Sequence, residues 1–148
     1  MPNTSQRNIA AFLHLSTFCG FIFPFGNLIA PIILWTMTKD KSMFIDKHGK
    51  EVINFQISIF LYTVILGIIT IPFFFYNLFS GFEFIDFHMV ESFQFSFNEI
   101  FSLVFLGSVL IGLAIIAFVI ELTLILLASL KAKEGKEFQY PLTIHFIK

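Results

Sequence analysis

From Ile9 onward the chain is written as long apolar runs separated by short polar ones, with FQFSFN and the last residues, where Tyr140, Leu142, Ile144 and Phe146 share a face if extended, alternating between apolar and polar. The longest run, Glu99 to Leu130 (EIFSLVFLGSVLIGLAIIAFVIELTLILLASL), ends against Lys131, Lys133 and Lys136 and carries one ionisable residue in its interior, Glu121. At a rise of about 1.5 Å per residue it exceeds a hydrocarbon core of roughly 30 Å, which predicts a transmembrane helix. A second run follows His48-Gly49-Lys50-Glu51 and passes from Val52 to Thr70 before meeting Pro72, where a kink or an end is expected. The first apolar region, Ile9 to Met37, is broken at Pro24-Phe25-Gly26-Asn27 and again at Pro31, so it predicts two short helices.

The pattern gives an all-α, polytopic integral membrane protein of four helical segments, at about 8–23, 28–38, 50–79 and 99–131. The first two are short and joined at the Pro-Gly-Asn break, and the last two are long. A Phe-rich, acidic outer loop at about 80–98 separates the long pair, and residues 1–148 form one membrane domain. Thr4, Ser5 and Asn8 are candidate N-caps for the first helix. Lys39, Lys41, Lys47 and Lys50 lie in one polar stretch and Gly81 to Asn98 has no Lys or Arg, so the basic stretch and the basic tail are expected on the cytoplasmic side. The first apolar region is too long for one untilted span and too short for two complete ones. A bent crossing and a returning hairpin both satisfy its length, and Arg7 favours the hairpin.

Composition removes the soluble alternative: 57% of residues are hydrophobic and 13% charged, with a mean hydropathy of +0.86, against about 25% charged in soluble domains. The expected surroundings are a lipid bilayer, as a multi-pass protein of the cell membrane, with copies of itself or other membrane proteins as partners. The basic stretch serves topology and headgroup contact, and no nucleic-acid surface is indicated. Cys19 is the single cysteine and reads as a packed apolar thiol.

Candidate chemistry is concentrated at mid-depth. Counted from Lys131, Glu121 lies about 15 Å into the bilayer. Asn27, in the broken helix, and Thr63 fall at a similar level, so Glu121, Asn27 and Thr63 form a candidate intramembrane polar site. Two roles fit it: a hydrogen-bonded lock between helices, or a site that binds a cation or relays a proton. Asn54 and Ser58 share a helical stripe expected to face the bundle, with Gln56 roughly opposite and reaching headgroups or another subunit. His48 and Glu51 are i, i+3 neighbours, but His14, His88 and His145 are scattered, so no metal site is expected. There is no nucleophile with a base and an orienting acid, and no phosphate-binding Gly loop. The expectation is a non-enzymatic protein without cofactor.

Three separated stretches, HLSTFCGFIFPFGNLIAPIILW from His14, FIDKHGKEVINFQIS from Phe44 and ASLKAKEGKEFQYPLTIHFIK from Ala128, resemble small bacterial and archaeal membrane proteins similar to the twenty-kilodalton subunit of the chloroplast inner-envelope import translocon (Tic). The matching residues are His14, Pro24, Gly26, Asn27, Pro31, His48, Gly49, Asn54, Phe55, Gln56, Tyr140 and Pro141. The resemblance implies four helices, both termini on one side, and a scaffold or pore role by helix association. It implies no catalytic residue, and Glu121 stands outside its pattern.

Overall fold

The computed structural model describes residues 2–80 and 97–148. They fold as four helices without strands: α1 (Thr4–Leu15), α2 (Gly26–Thr38), α3 (Met43–Ser80) and α4 (Phe97–Lys133). Most of the outer loop inferred at 80–98, including Glu83, Asp86 and Glu91, lies outside the described residues. The chain divides into two compact units, one of Met1–Tyr62 with Val119–Lys148, the other of Thr63–Phe118.

In the first unit, α1 is capped by Asn3, one residue before the expected candidates. Asn3 Oδ1 accepts from the Gln6 amide at 2.9 Å, and Gln6 Oε1 accepts from the Asn3 amide at 3.0 Å. That reciprocal pair satisfies two helix-end donors, which an isolated Thr or Ser at the next positions would leave open. A 3₁₀ turn, Ser16–Phe21, follows α1. The chain then reverses through Phe25, which takes a left-handed φ of 61°, and Gly26, whose Cα packs so closely on the Cys19 carbonyl that a Cβ has no room.

The reversal makes α1 and α2 a hairpin that leaves and returns to one end of the unit. Arg7 lies against Gly135 beyond the end of α4, Ala10 and Ala11 cluster with Ala132, and Lys47 at the start of α3 pairs with Glu137 at 2.7 Å. With 13 residues, α2 extends only about 20 Å, short of a full crossing. Pro31 does not break it. Its ring removes the donor that the Asn27 carbonyl otherwise receives, and the helix runs on to Thr38.

The start of α3 differs from the sequence reading, and its end agrees with it. The second half of the basic stretch is helix, because Ser42 Oγ caps α3 by accepting from the Ile45 amide at 3.2 Å, so Lys47 and Lys50 sit on its first turns. Pro72 lies inside α3, which continues to Ser80; neighbouring groups in a membrane helix absorb such an interruption. At the other end, α4 stops at a Schellman turn. Gly135 has φ 80°, with its amide on Ala132 O at 2.9 Å and the Lys136 amide on Lys131 O at 3.0 Å.

The core of this unit gathers Leu13, Ile45, Val52, Ile53, Phe55, Ile125, Ala128 and Tyr140. Buried among and beside them are His14, Thr17, His48, Asn54, Gln56 and Ser58, while Phe21, Ile22, Ile33 and Leu130 are exposed. Polar groups inside and large apolar ones outside is the order a lipid solvent selects.

The second unit carries no charged residue along α3 after Tyr62 or along α4 from Phe101 to Phe118. Ile68, Ile69, Leu113 and Ile116 are among its exposed side chains. Thr70 and Ser108 turn their hydroxyls back onto their own helices, at Leu66 O (2.8 Å) and Phe105 O (2.7 Å), so neither hydroxyl faces lipid unsatisfied. Met43–Tyr76 and Val104–Lys133 are each long and apolar enough to cross a bilayer.

Candidate functional site: a buried polar seam

Two hydrogen-bonded chains run through the first unit. In the first, His14 on α1 stands between Tyr140 on the tail and His48 on α3. Its Nδ1 is 2.8 Å from Tyr140 Oη and its Nε2 2.8 Å from His48 Nδ1. All three side chains are buried. Phe55 stacks on the Tyr140 ring at a centroid distance of 4.1 Å, and Phe44 packs edge-on against His48 at 4.5 Å.

Donor counting sets the direction of this chain. Burial, with the Glu51 and Glu121 carboxylates nearby, pushes the Tyr140 phenol far above its ordinary range, so it keeps its proton. Tyr140 Oη then donates to His14 Nδ1, His14 Nε2–H donates to His48 Nδ1, and His48 Nε2 carries the last N–H. The opposite polarity would strand the phenol proton in an apolar core. His48 Nε2 is buried, and the Lys136 backbone is the acceptor that faces it.

The second chain joins three helices. Asn27 Nδ2 on α2 donates to Gln56 Oε1 on α3 at 2.8 Å, and Gln56 Nε2 donates to Glu121 Oε1 on α4 at 3.4 Å. Asn27 and Glu121 are therefore connected through Gln56. Thr63, grouped with them from the sequence, falls in the other unit. Gln56 is 1% exposed and does not reach outward as its position opposite Asn54 suggested. An amide has both a donor and an acceptor, so the interior bridge uses each end of it.

On another face of α3, Asn54, Ser58 and Tyr62 recur every fourth residue and bind the tail instead of a neighbouring helix. Asn54 Oδ1 accepts from the Phe146 and Ile147 amides at 3.1 and 2.9 Å, and its Nδ2 donates to Ile147 O at 2.9 Å. Ser58 Oγ accepts from the Ile144 amide at 2.9 Å, and Tyr62 Oη donates to Leu142 O at 2.8 Å. An extended segment with unpaired backbone groups is thereby satisfied by side chains of one helix stripe.

Of the residues singled out by resemblance, His14, His48, Phe55 and Tyr140 meet in the first chain and Asn27 and Gln56 in the second. Gly26 and Gly49 are close-approach points, Gly49 facing the Trp35 indole where a Cβ would overlap it. The convergence of His14, His48 and Tyr140 was not anticipated. Only His14 carried a signal for it, as an isolated polar ring in an apolar stretch that must find a partner inside the protein; His48 and Tyr140 stand in polar stretches and gave none. Among the described residues no three His, Cys, Asp or Glu side chains are grouped to hold a metal ion.

Residues 5–147 match the model of the magnetosome magnetite crystal formation protein family (MamF/MmsF). The chain belongs to that family. No curated protein and no solved structure matches it. The family match covers both polar chains and the tail, and it joins the chain to a family of small membrane proteins without adding support for the translocon resemblance.

Proposed function

We propose that this chain is a non-enzymatic membrane scaffold that contributes to magnetite crystal formation, with the magnetosome membrane, in place of the general cell membrane, as its site of action. The observation that carries the reading is the family match over residues 5–147, taken with a polar interior whose groups are spent on one another. Asn27, Gln56 and Glu121 link three helices, and Tyr140, His14 and His48 link the tail to α1 and α3. Such chains fix helix positions and present a defined surface for association with copies of itself or other membrane proteins. A scaffold role is also what the translocon-subunit resemblance implied.

The test is complementation in a magnetite-forming bacterium lacking its own family member. Expression of this chain is expected to restore crystal size in electron micrographs and to co-fractionate with magnetosomes. Unchanged crystals from a chain confined to the cell membrane would refute the proposal.

The second reading, a cation or proton site at Glu121, draws on its carboxyl being held by one hydrogen bond. Substitution separates the two. In a lock, Glu121→Gln retains folding and complementation, whereas Glu121→Leu strands the Gln56 amide and loses about 1–3 kcal/mol of stability. A transport site gives lost flux with Glu121→Gln in an intact fold.

A further inference from the structure

The α1–α2 hairpin lies outside the two stretches long enough to cross a bilayer, yet its surface suits hydrocarbon. From Ile9 to Thr38 it has no Asp, Glu, Lys or Arg. His14 and Asn27 are spent on the interior. The Ser16, Thr17, Thr36 and Thr38 hydroxyls donate to the Leu13, His14, Ile32 and Leu34 carbonyls, one turn back, at 2.6–2.8 Å. At the tip Phe21 is 67% and Ile22 80% exposed, with Phe23 and Phe25 exposed beside them. Between the two helices an apolar groove of about 440 Å³, walled by Ile9, Phe12, Leu15, Ser16 and Leu34, is open to lipid tails.

Trp35 sets the depth. Its Nε1 donates to Asp46 Oδ1 at 2.9 Å, and the Lys39 ammonium lies 5.1 Å from its ring centroid, the surroundings of an indole at the headgroup level. Gly26 stands nine positions before Trp35 on α2, which is about 14 Å at helical rise, against about 15 Å for half a hydrocarbon core. The tip therefore stops near the midplane. In the first unit α1 and α2 pack with α3 and α4 around one core, whereas the described residues of the second unit are continuations of α3 and α4 alone. Four helical stretches thus enter the leaflet on the basic side, and two enter the other. With each extra helix about 10 Å across, the hairpin adds roughly 150 Å² to one leaflet only.

We propose that the hairpin is a one-leaflet wedge, by which the chain binds preferentially to membrane that is convex on its basic side. Area added to one leaflet is accommodated most easily where that leaflet is spread, on the outer face of a curve. With the basic side in the cytoplasm, this is the curvature of a vesicle within the cell. The inference rests on the membrane reading of α3 and α4 and is independent of any part in crystal formation.

Curvature sorting of the full chain tests it. The chain, in a Cys19→Ser background, is reconstituted at low density into giant vesicles from which narrow tubes are pulled. An impermeant fluorophore added outside marks Lys136→Cys molecules whose hairpin lies in the outer leaflet, and Asn98→Cys molecules of the opposite orientation. The first set is expected to be enriched on the tube about threefold over the parent vesicle, and the second to be depleted. Equal density on tube and vesicle, or the same enrichment in both orientations, overturns the proposal. A spin label at Ile22→Cys checks the depth separately. Oxygen should reach it and a water-soluble nickel chelate should not; access of the chelate overturns a tip held within the bilayer.

Discussion

Tyr140 supplies the proton that orders the His14–His48 chain. Removing that hydroxyl leaves His14 Nδ1 buried without a donor, so Tyr140→Phe is expected to cost about 1–3 kcal/mol although the stacked ring on Phe55 is kept. Thermal unfolding in detergent measures it, with Tyr76→Phe as the comparison. Tyr76 is 74% exposed, and its change should stay within about 0.5 kcal/mol. A Tyr140 variant indistinguishable from the Tyr76 one would show that the ring alone holds the tail. This scale was the least legible in the sequence. Glu121 stood out because it is a charge in an apolar run, and Asn27 because it sits in a helix break. His14, His48 and Tyr140 come from three distant segments, and only the folded chain shows that His14 stands 2.8 Å from each of the other two. Gln56 was read by its position opposite Asn54, but helical spacing does not say which of two opposite faces turns inward.

Between elements, small residues and the tail set the geometry. Gly49 lets the Trp35 indole approach α3 closely, while Trp35 Nε1 donates to Asp46 Oδ1 at 2.9 Å on the same helix. Gly49→Ala therefore forces the α2–α3 contact apart, at a cost of about 1–3 kcal/mol, and the emission of the single Trp should shift with it. Gly112→Ala meets nothing within 4 Å and should instead be neutral, or stabilise by up to about 1 kcal/mol through helix propensity. Equal effects at the two positions would remove the close-contact account. The tail adds a pH dependence. A hydrogen bond and the charge of Lys47 hold the Glu137 carboxyl below its ordinary range. That contribution is complete above the ordinary carboxylate range and is lost as pH falls through the depressed value. Protection of the tail amides relative to their intrinsic exchange at each pH should fall on acidification through this window, by a small amount because both partners are exposed, and Glu137→Gln should remove the difference. Helix existence was legible from apolar run length, and the end of α4 from the lysines that close its run. The start of α3 was not, since Lys47 and Lys50 read as loop until the Ser42 cap is seen to recruit them into helix. Pro72 falls inside the segment inferred at about 50–79, since a breaker in water is tolerated in a helix shielded from it.

At the scale of the molecule, composition and charge asymmetry specify a membrane protein with a basic end, but not how often the first apolar region crosses. The Phe25–Gly26 reversal answers this in the first unit, since Arg7 returns to Gly135 and Lys47 to Glu137 at one end. A hairpin that returns leaves α3 and α4 as the two spans, with the N-terminus, the α2–α3 connection and the tail sharing a side. The basic residues then share that side as well, which is the arrangement the cytoplasmic leaflet favours. Single-cysteine labelling in whole cells tests the arrangement in a Cys19→Ser background. Probes at Thr4, Ser42 and Lys136 should resist a membrane-impermeant reagent until the cells are opened, and a probe at Asn98, at the far end of α4, should react from outside. Outside labelling at Thr4 alone would make the α1–α2 region a bent crossing. It would also place Arg7 and Gly135 on opposite sides of the membrane, against their contact in the fold.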